Sequence, residues 1–172
     1  MKTNLRPLSA ADIPACAALQ NAAYLPLYRE PAEILASRLT VAPTCCWGAF
    51  GGDGGLTAYI LSHPWPAAAP PAIGTALGAP PPGDNWFIHD LAIGEAARGL
   101  GLGRALVRMA ADAALALGLV RGDLIAVQGA GGFWARMGYA DPPHLPAALA
   151  AKVAAYGPDA RYMTVRLGDL KA

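Results

Sequence analysis

A segment of alternating glycines constrains this chain more than any other feature of its sequence. Residues 99–103 have the sequence Gly-Leu-Gly-Leu-Gly and lie between an apolar strand pattern at residues 86–93 and a helical pattern at residues 101–117. Glycine lets the backbone approach a ligand closely, and the first turn of a helix offers free N–H groups and the positive end of a dipole. The flanking Arg98 and Arg104 can bind phosphate oxygens. The turn therefore suits a diphosphate, although a tight strand-to-helix turn without a ligand also explains it.

Two common phosphate-binding loops do not match this segment. A P-loop ends in glycine, lysine and then serine or threonine, whereas Gly103 is followed by Arg104 and Ala105. A dinucleotide-binding loop needs G-x-G-x-x-G, whereas this chain has G-x-G-x-G. Asp123 lies at about the right distance for a ribose contact, but it begins its predicted strand instead of ending it. A nucleotide-using ligase or oxidoreductase is accordingly the weaker alternative.

Strand and helix patterns are mixed along the whole chain. The predicted strands lie at residues 3–8, 44–50, 56–61, 86–93, 123–128 and 161–167. The predicted helices lie at residues 9–23, from residue 30 onward, and at residues 101–117, 131–137 and 146–156. The helix from residue 30 onward has a predicted apolar face of Ile34, Leu35 and Leu39. This order predicts an α/β (α+β) layer fold, and 172 residues that are 55% hydrophobic suffice for one domain with its own core. Residues 63–85 contain seven prolines and are predicted to form a long irregular loop.

Composition argues against several classes of function. The 13 Lys and Arg residues balance 12 Asp and Glu residues, so we expect neither a nucleic acid nor an anionic membrane as partner. Three cysteines make no disulfide framework, and no Cys/His spacing fits a zinc site, so no metal is expected. The N-terminus has no apolar signal core, and Arg108 and Asp112 interrupt the apolar stretch at residues 105–120. A cytoplasmic location is the expectation.

Two motifs in order give a resemblance to a known family. The pattern R-x-x-G-x-G follows a strand with the sequence I-H-D-L-A-I, and F-W-A-R-M-G-Y comes about thirty residues later. Together they resemble the GCN5-related N-acetyltransferase (GNAT) superfamily over residues 86–139. Arg98, Gly101 and Gly103 match the pattern with which that family binds the pyrophosphate of acetyl-CoA.

The resemblance implies a fold and an activity. The implied fold is a mixed central sheet of six to seven strands flanked by helices, and the implied activity moves an acetyl group from acetyl-CoA to an amine by direct attack. The cofactor core would lie at about residues 86–139 and the acceptor side at about residues 9–65. The acceptor is either a small molecule or a protein amine, and a homodimer is compatible because relatives are often dimers. A non-catalytic acyl-CoA sensor on the same fold is the second alternative.

The resemblance also implies roles for the residues around the glycine segment. The strand at residues 91–93 is expected to bulge and splay, so that its backbone binds the pantetheine arm and the thioester carbonyl, while its side chains pack in the core. Trp134 stands where many relatives have a tyrosine that protonates the leaving thiolate. Indole is not a usable acid, so we expect Trp134 to pack against the cofactor. Because a thiol has a pKa of about 8.5, we expect the thiolate to leave with no more than a proton from water. The expected cofactor-binding residues are Leu91, Ala92, Ile93, Arg98, Gly99, Leu100, Gly101, Leu102, Gly103, Arg104, Phe133 and Trp134.

His89 is the first candidate for the general base. It occupies the position where some relatives carry a glutamate that acts through water, and imidazole is suited to taking a proton near neutral pH. Asp90 is the second candidate, and it points to the opposite side of the sheet if the strand is regular. A third reading is that neither acts and that His89 is a half-buried strand residue.

The acceptor side is expected on the first two helices and their connection. Acidic and aromatic groups together suit a cationic amine, although a solvated helix start explains any single one of them. A histidine near the second hairpin strand is expected to line the same cleft. The candidate acceptor residues are Tyr24, Tyr28, Glu30, Glu33 and His63.

Overall fold

Six strands form one mixed sheet at the centre of the computed structural model, which describes residues 3–79 and 83–171. The strands are β1 (Asn4–Pro7), β2 (Trp47–Phe50), β3 (Leu56–Trp65), β4 (Asn85–Ile93), β5 (Arg121–Ala126) and β6 (Arg161–Arg166). The helices are α1 (Ile13–Ala23), α2 (Ala32–Val41), α3 (Leu102–Ala116), α4 (Gly131–Arg136) and α5 (Ala147–Ala154). A six-stranded sheet flanked by helices confirms the predicted fold class.

The strands follow one another across the sheet in chain order, from β1 at one edge to β6 at the other. Neighbouring strands are antiparallel except β4 and β5, which are parallel. Parallel neighbours need a crossover connection, and α3 provides it. The turn that contains the alternating glycines therefore lies at the carboxyl end of β4, beside the one parallel pair of the sheet.

Helices cover both faces of the sheet. One face packs against α3, whose buried residues recur at helical spacing, and the other packs against α1 and α2. The predicted apolar face of α2 is confirmed, since Ile34, Leu35 and Leu39 are all buried. The longest helix, α3, has 15 residues. Within the two described ranges, no helix combines the length and apolarity that crossing a membrane requires.

One extra residue interrupts the ladder between β3 and β4. Leu61 pairs with Asp90 and Ser62 pairs with Ile88, so His89 has no partner on β3 and forms a β-bulge. The expectation that Asp90 points away from His89 assumed a regular strand and is wrong. The bulge places both side chains on the face covered by α1 and α2, where they meet residues from that side of the molecule.

The proline-rich loop is shorter than the sequence predicts. Irregular structure is predicted throughout residues 63–85, but β3 continues to Trp65 and pairs there with β4. Pro64 is tolerated within β3 because β2 has already ended, which leaves that side of β3 without a neighbouring strand. Residues 66–79 are irregular as predicted, and the prolines at 80–82 lie outside the described residues.

His63 lies inside the fold at the end of β3. Its ring is fully buried and packs against the rings of Trp65 and Phe87. The Nδ1–H donates to the Pro64 carbonyl at 3.1 Å, whereas Nε2 has no hydrogen-bond partner in the part of the chain that the structure describes. Burial lowers the pKa of His63 to about 3 against the opposing effect of the Pro64 bond. The folded protein therefore keeps this imidazole neutral.

We expect His63→Phe, which keeps an aromatic ring in this position, to reduce the loss of stability in acid. Unfolded histidine takes up a proton below about pH 6.5, whereas folded His63 resists protonation down to about pH 3. The wild type therefore loses stability as the pH falls through that window and is unaffected above it, and the loss at pH 5 is roughly 2 kcal/mol. Denaturant unfolding of both proteins at pH 7 and pH 5 measures the difference. An equal loss in the variant would contradict a buried neutral imidazole.

Candidate active site

The parallel strands β4 and β5 separate near the middle of the sheet and leave a cavity between them. Their pairing ends at Ile88 and Leu124, although β4 continues to Ile93 and β5 to Ala126. The cavity has a volume of about 370 Å³ and reaches from this gap to the end of α1 and the segment before α2. The strand splays as the sequence resemblance implies.

Many of the candidate residues line this cavity. From the expected cofactor set these are Leu91, Ala92, Ile93, Arg98, Phe133 and Trp134. From the expected catalytic and acceptor sets these are Tyr24, Tyr28, Glu30, His89 and Asp90. Residues 99–104 form the turn and helix start beside the cavity and are not part of its wall, while Glu33 is exposed on α2. His63 is buried in the sheet behind His89, with 6.4 Å between the ring centroids, and does not line the cavity.

Backbone N–H groups of β4 point into the gap. The Gly94 N–H donates to the Thr57 carbonyl at 2.9 Å, so Gly94 directs its N–H toward the β3 side. Alternate residues of β4 then direct their N–H groups toward β3 and away from it. By that alternation the N–H groups of Leu91 and Ile93 point away from β3 and toward the space that β5 has left. The Leu91 carbonyl accepts a hydrogen bond from the Tyr24 hydroxyl at 2.7 Å. The strand can therefore donate to carbonyl oxygens of a ligand in the gap.

The glycine turn brings the start of α3 to the edge of the cavity. Gly101 has a φ of +76°, which favours glycine, and a side chain there would extend into open space. Gly103 lies so close to β4 that a Cβ atom would come within 2.7 Å of Ile93 Cδ1. Arg98 precedes the turn, is exposed and lines the cavity, and Arg104 is exposed in the first turn of α3. Unpaired helix N–H groups, the helix dipole and two guanidinium groups make this edge suited to an anion.

A buried carboxylate holds His89 at the other end of the cavity. The His89 side chain is 6% exposed, and its Nε2 lies 2.6 Å from Glu30 Oε2. Glu30 Oε1 accepts the Gly74 N–H at 2.7 Å and lies 3.7 Å from Arg38 Nη2. Burial raises the pKa of Glu30, but the hydrogen bonds from His89 and Gly74 and the charge of Arg38 outweigh it, so the pKa lies below its usual value. Glu30 is therefore ionised and serves as an acceptor.

Asp90 is held by a second set of bonds next to the first. Gln20 Nε2 donates to Asp90 Oδ2 at 2.8 Å, and the Tyr59 hydroxyl donates to the same oxygen. Gln20 Oε1 accepts the backbone N–H of Glu30 at 2.6 Å, so this glutamine joins the Asp90 carboxylate to the backbone of Glu30. Burial and the charge of Asp90 raise the pKa of Tyr24 and of Tyr59 well above the usual value, which keeps both phenols protonated. No group of three or more His, Cys, Asp or Glu side chains in residues 3–79 and 83–171 is arranged to hold a metal ion.

Phe133 and Trp134 form an apolar wall near the glycine turn. Trp134 is buried and meets the rings of Phe133 and Tyr139 edge to face, with centroids 4.9 and 5.3 Å apart. The Tyr139 hydroxyl is buried without a hydrogen-bond partner among the described residues, and it does not line the cavity. This wall therefore offers packing surface and no side-chain acid.

Several polar residues near His89 and Asp90 were not predicted from the sequence. Gln20 and Arg38 are 1% and 0% exposed and lie on the buried faces of α1 and α2. For both residues, the sequence signal is a polar side chain at the spacing of a buried helix face. Tyr59 looks like an ordinary core residue of β3, and Tyr156 follows α5 far along the chain, so neither carries a signal of its own.

Solved structures share this fold at low sequence identity. The ribosomal-protein-S18-alanine N-acetyltransferase from Escherichia coli aligns with 99% of this chain and 96% of its own, with a TM-score of 0.68 and 14% identity. The PaiA N-acetyltransferase from Thermoplasma acidophilum in complex with coenzyme A covers 96% and 99%, with a TM-score of 0.67 and 13% identity. The GphF GNAT-like decarboxylase in complex with isobutyryl-CoA covers 95% and 99%, with a TM-score of 0.69 and 18% identity. No curated protein matches the chain.

A family model covers most of the chain. The model described as the acetyltransferase (GNAT) family matches residues 15–139. This range contains most of α1, the Glu30 segment, the splayed part of β4 and the glycine turn, and it ends just after the Phe133 and Trp134 wall. The match confirms the resemblance seen in the sequence motifs: the chain belongs to the acetyltransferase (GNAT) family.

Proposed function

We propose that this protein transfers an acetyl group from acetyl-CoA to an amine by direct attack. The observation that carries the proposal is the cavity in the gap between β4 and β5. It has an anion-suited glycine turn at one end and a buried histidine–carboxylate pair at the other. One end fits the diphosphate of the cofactor, and the other fits a group that must lose a proton. In this proposal residues 86–139 hold the cofactor, and residues 9–65 supply most of the acceptor side.

The residues present fit coenzyme A. Gly101 leaves open space at the start of α3, where the helix N–H groups with Arg98 and Arg104 would hold the diphosphate. The N–H groups of Leu91 and Ile93 would bind pantetheine amide and acyl oxygens, and Phe133 and Trp134 would pack against the arm. Bound acetyl-CoA supplies the acyl group as a thioester, whose carbon–sulfur bond breaks as the carbon–nitrogen bond to the amine forms.

The cavity wall supports direct transfer without a covalent enzyme intermediate. Among the described residues that line the cavity there is no serine, threonine or cysteine. Burial raises the pKa of Cys16 and of Cys46 to about 12, which keeps both thiols protonated and poorly nucleophilic. The amine itself is therefore the nucleophile, and His89 takes the proton that the amine must lose. Asp90, whose Oδ2 accepts hydrogen bonds from Gln20 and Tyr59, is the second candidate for that role.

The wall formed by Phe133 and Trp134 contains no phenol that could protonate the leaving thiolate. The thiolate therefore leaves unprotonated or takes a proton from water, which the thiol pKa of about 8.5 allows.

A thiol-release assay with acetyl-CoA and a panel of monoamines, diamines, amino acids and peptides tests the function. We expect turnover with at least one amine and detection of the acetylated amine by mass spectrometry. Tight acetyl-CoA binding with no turnover across the panel would identify a sensor and overturn the proposal.

We expect Gly101→Glu to lower acetyl-CoA affinity by more than about tenfold, because a single lost charge-assisted contact is worth ~1.5–3 kcal/mol and the new carboxylate also repels the diphosphate. Gly118→Glu is the matched control at the other end of α3. Gly118 has a φ of +81° and open space around it, as Gly101 does, so both variants carry similar backbone strain. Calorimetry on both folded variants measures the affinities. Equal affinity in the two would place the diphosphate elsewhere.

We expect His89→Gln to lose about 10²-fold or more in kcat/KM, with acetyl-CoA affinity unchanged. Glutamine can still donate to Glu30, but it cannot take the proton of the amine. A variant that keeps the wild-type rate would show that His89 is structural, and Asp90→Asn would then be the variant that identifies the base.

A further inference from the structure

Glu30 joins three parts of the molecule through one buried carboxylate. It lies in the segment between α1 and α2, its Oε2 contacts His89 on β4, and its Oε1 accepts the Gly74 N–H from the loop at residues 66–79. Its side chain is 3% exposed, so water has little access to either oxygen. Glu30 was predicted to bind the amine, but both of its carboxylate oxygens contact other residues of the protein.

We propose that Glu30 is a positioning residue for His89, and that its carboxylate holds the imidazole with Nε2–H toward Glu30 and the Nδ1 lone pair toward the cavity. The proposal rests on the proposed function, in which His89 takes the proton of the amine. An ionised carboxylate only accepts hydrogen bonds, so Nε2 must carry the proton of the neutral ring. The Glu30 contact is the one hydrogen bond that the ring makes within the described part of the chain. Nδ1 is therefore the nitrogen left for a group in the cavity.

The charges around His89 support the same role. Two carboxylates, Glu30 and Asp90, share the buried acceptor end with one guanidinium, Arg38. When His89 is neutral, the two carboxylates and the guanidinium leave one negative charge without a positive partner. A proton received by His89 supplies that partner. The imidazole of His63 beside the ring is neutral. The phenols that line the cavity with His89, those of Tyr24, Tyr28 and Tyr156, are neutral as well.

Any substitution of Glu30 needs a control, because losing the hydrogen bond from Gly74 also loosens the loop at residues 66–79. Ser37 offers one. Its Oγ accepts the Leu77 N–H at 3.0 Å, so it anchors the same loop to α2 without touching His89. Ser37→Ala weakens the loop attachment and removes one acceptor of Arg38 Nη1, while both partners of the contact between His89 and Glu30 stay in place. A loss of activity that comes from the loop alone would be shared by Ser37→Ala and Glu30→Gln.

A double-mutant cycle in kcat/KM is the kinetic test, run with saturating acetyl-CoA and an amine from the panel. Glu30→Gln should lose about tenfold or more, and Ser37→Ala should stay within about twofold of the wild type. Because Glu30 acts through His89, Glu30→Gln combined with His89→Gln should be no slower than His89→Gln alone. Losses that multiply in the double variant, or an equal loss in Ser37→Ala, would overturn the proposal.

Nitrogen-15 NMR of the His89 ring gives a readout that needs no turnover. The wild type should show a protonated Nε2 and an unprotonated Nδ1, and Ser37→Ala should show the same. In Glu30→Gln the amide can either donate or accept, so the two tautomers should mix. If Glu30→Gln keeps both the wild-type tautomer and the wild-type rate while His89→Gln is slow, the positioning proposal alone fails. If His89→Gln is as fast as the wild type, the assignment of the base fails, and the catalytic role of Glu30 fails with it.

Discussion

The β-bulge at His89 sets the geometry on which the candidate site depends. In a regular strand His89 and Asp90 would face opposite sides of the sheet. Because the β3 register skips His89, both side chains face α1 and α2, where Gln20 and Glu30 bind them. The pairing of β4 with β5 ends at Ile88, one residue before the bulge. The local break in the ladder and the opening of the cavity therefore occur at the same point of β4.

The two ends of the cavity have opposite electrostatic character. The glycine turn offers helix N–H groups and exposed guanidinium groups, which suit an anion, whereas the end at His89 contains two buried carboxylates. Burying carboxylates is costly unless they accept hydrogen bonds, and here the donors come from α1, from β3, from β4 itself and from the loop at residues 66–79. Side chains held by several packed elements keep a fixed orientation, which is what a proton-accepting group requires.

The sequence predicted the features that depend on local pattern. The glycine segment, the helix after it and the apolar face of α2 all follow from spacing within one segment, and each lies where it was expected. The family resemblance implied a bulge in this strand, but its position at His89 could not be predicted, because it depends on how β4 aligns with a strand more than twenty residues earlier in the chain. The same limit explains the error in the orientation of Asp90. The only signal in the sequence for the burial of Arg38 is a charged residue at the spacing of a buried helix face. Its ion pair with Glu30 depends on how the segment before α2 folds back onto that helix.

A backbone-amide NMR titration of the nitrogen-15-labelled protein with acetyl-CoA tests the proposed cofactor site directly. We expect saturable shifts at the amides of Gly101, Gly103 and Arg104, together with Leu91 and Ile93 across the gap. One affinity should describe both groups, because one ligand would span the turn and the strand. Saturable shifts confined to other parts of the chain, or different affinities for the turn and the strand, would contradict a single acetyl-CoA site in the gap between β4 and β5.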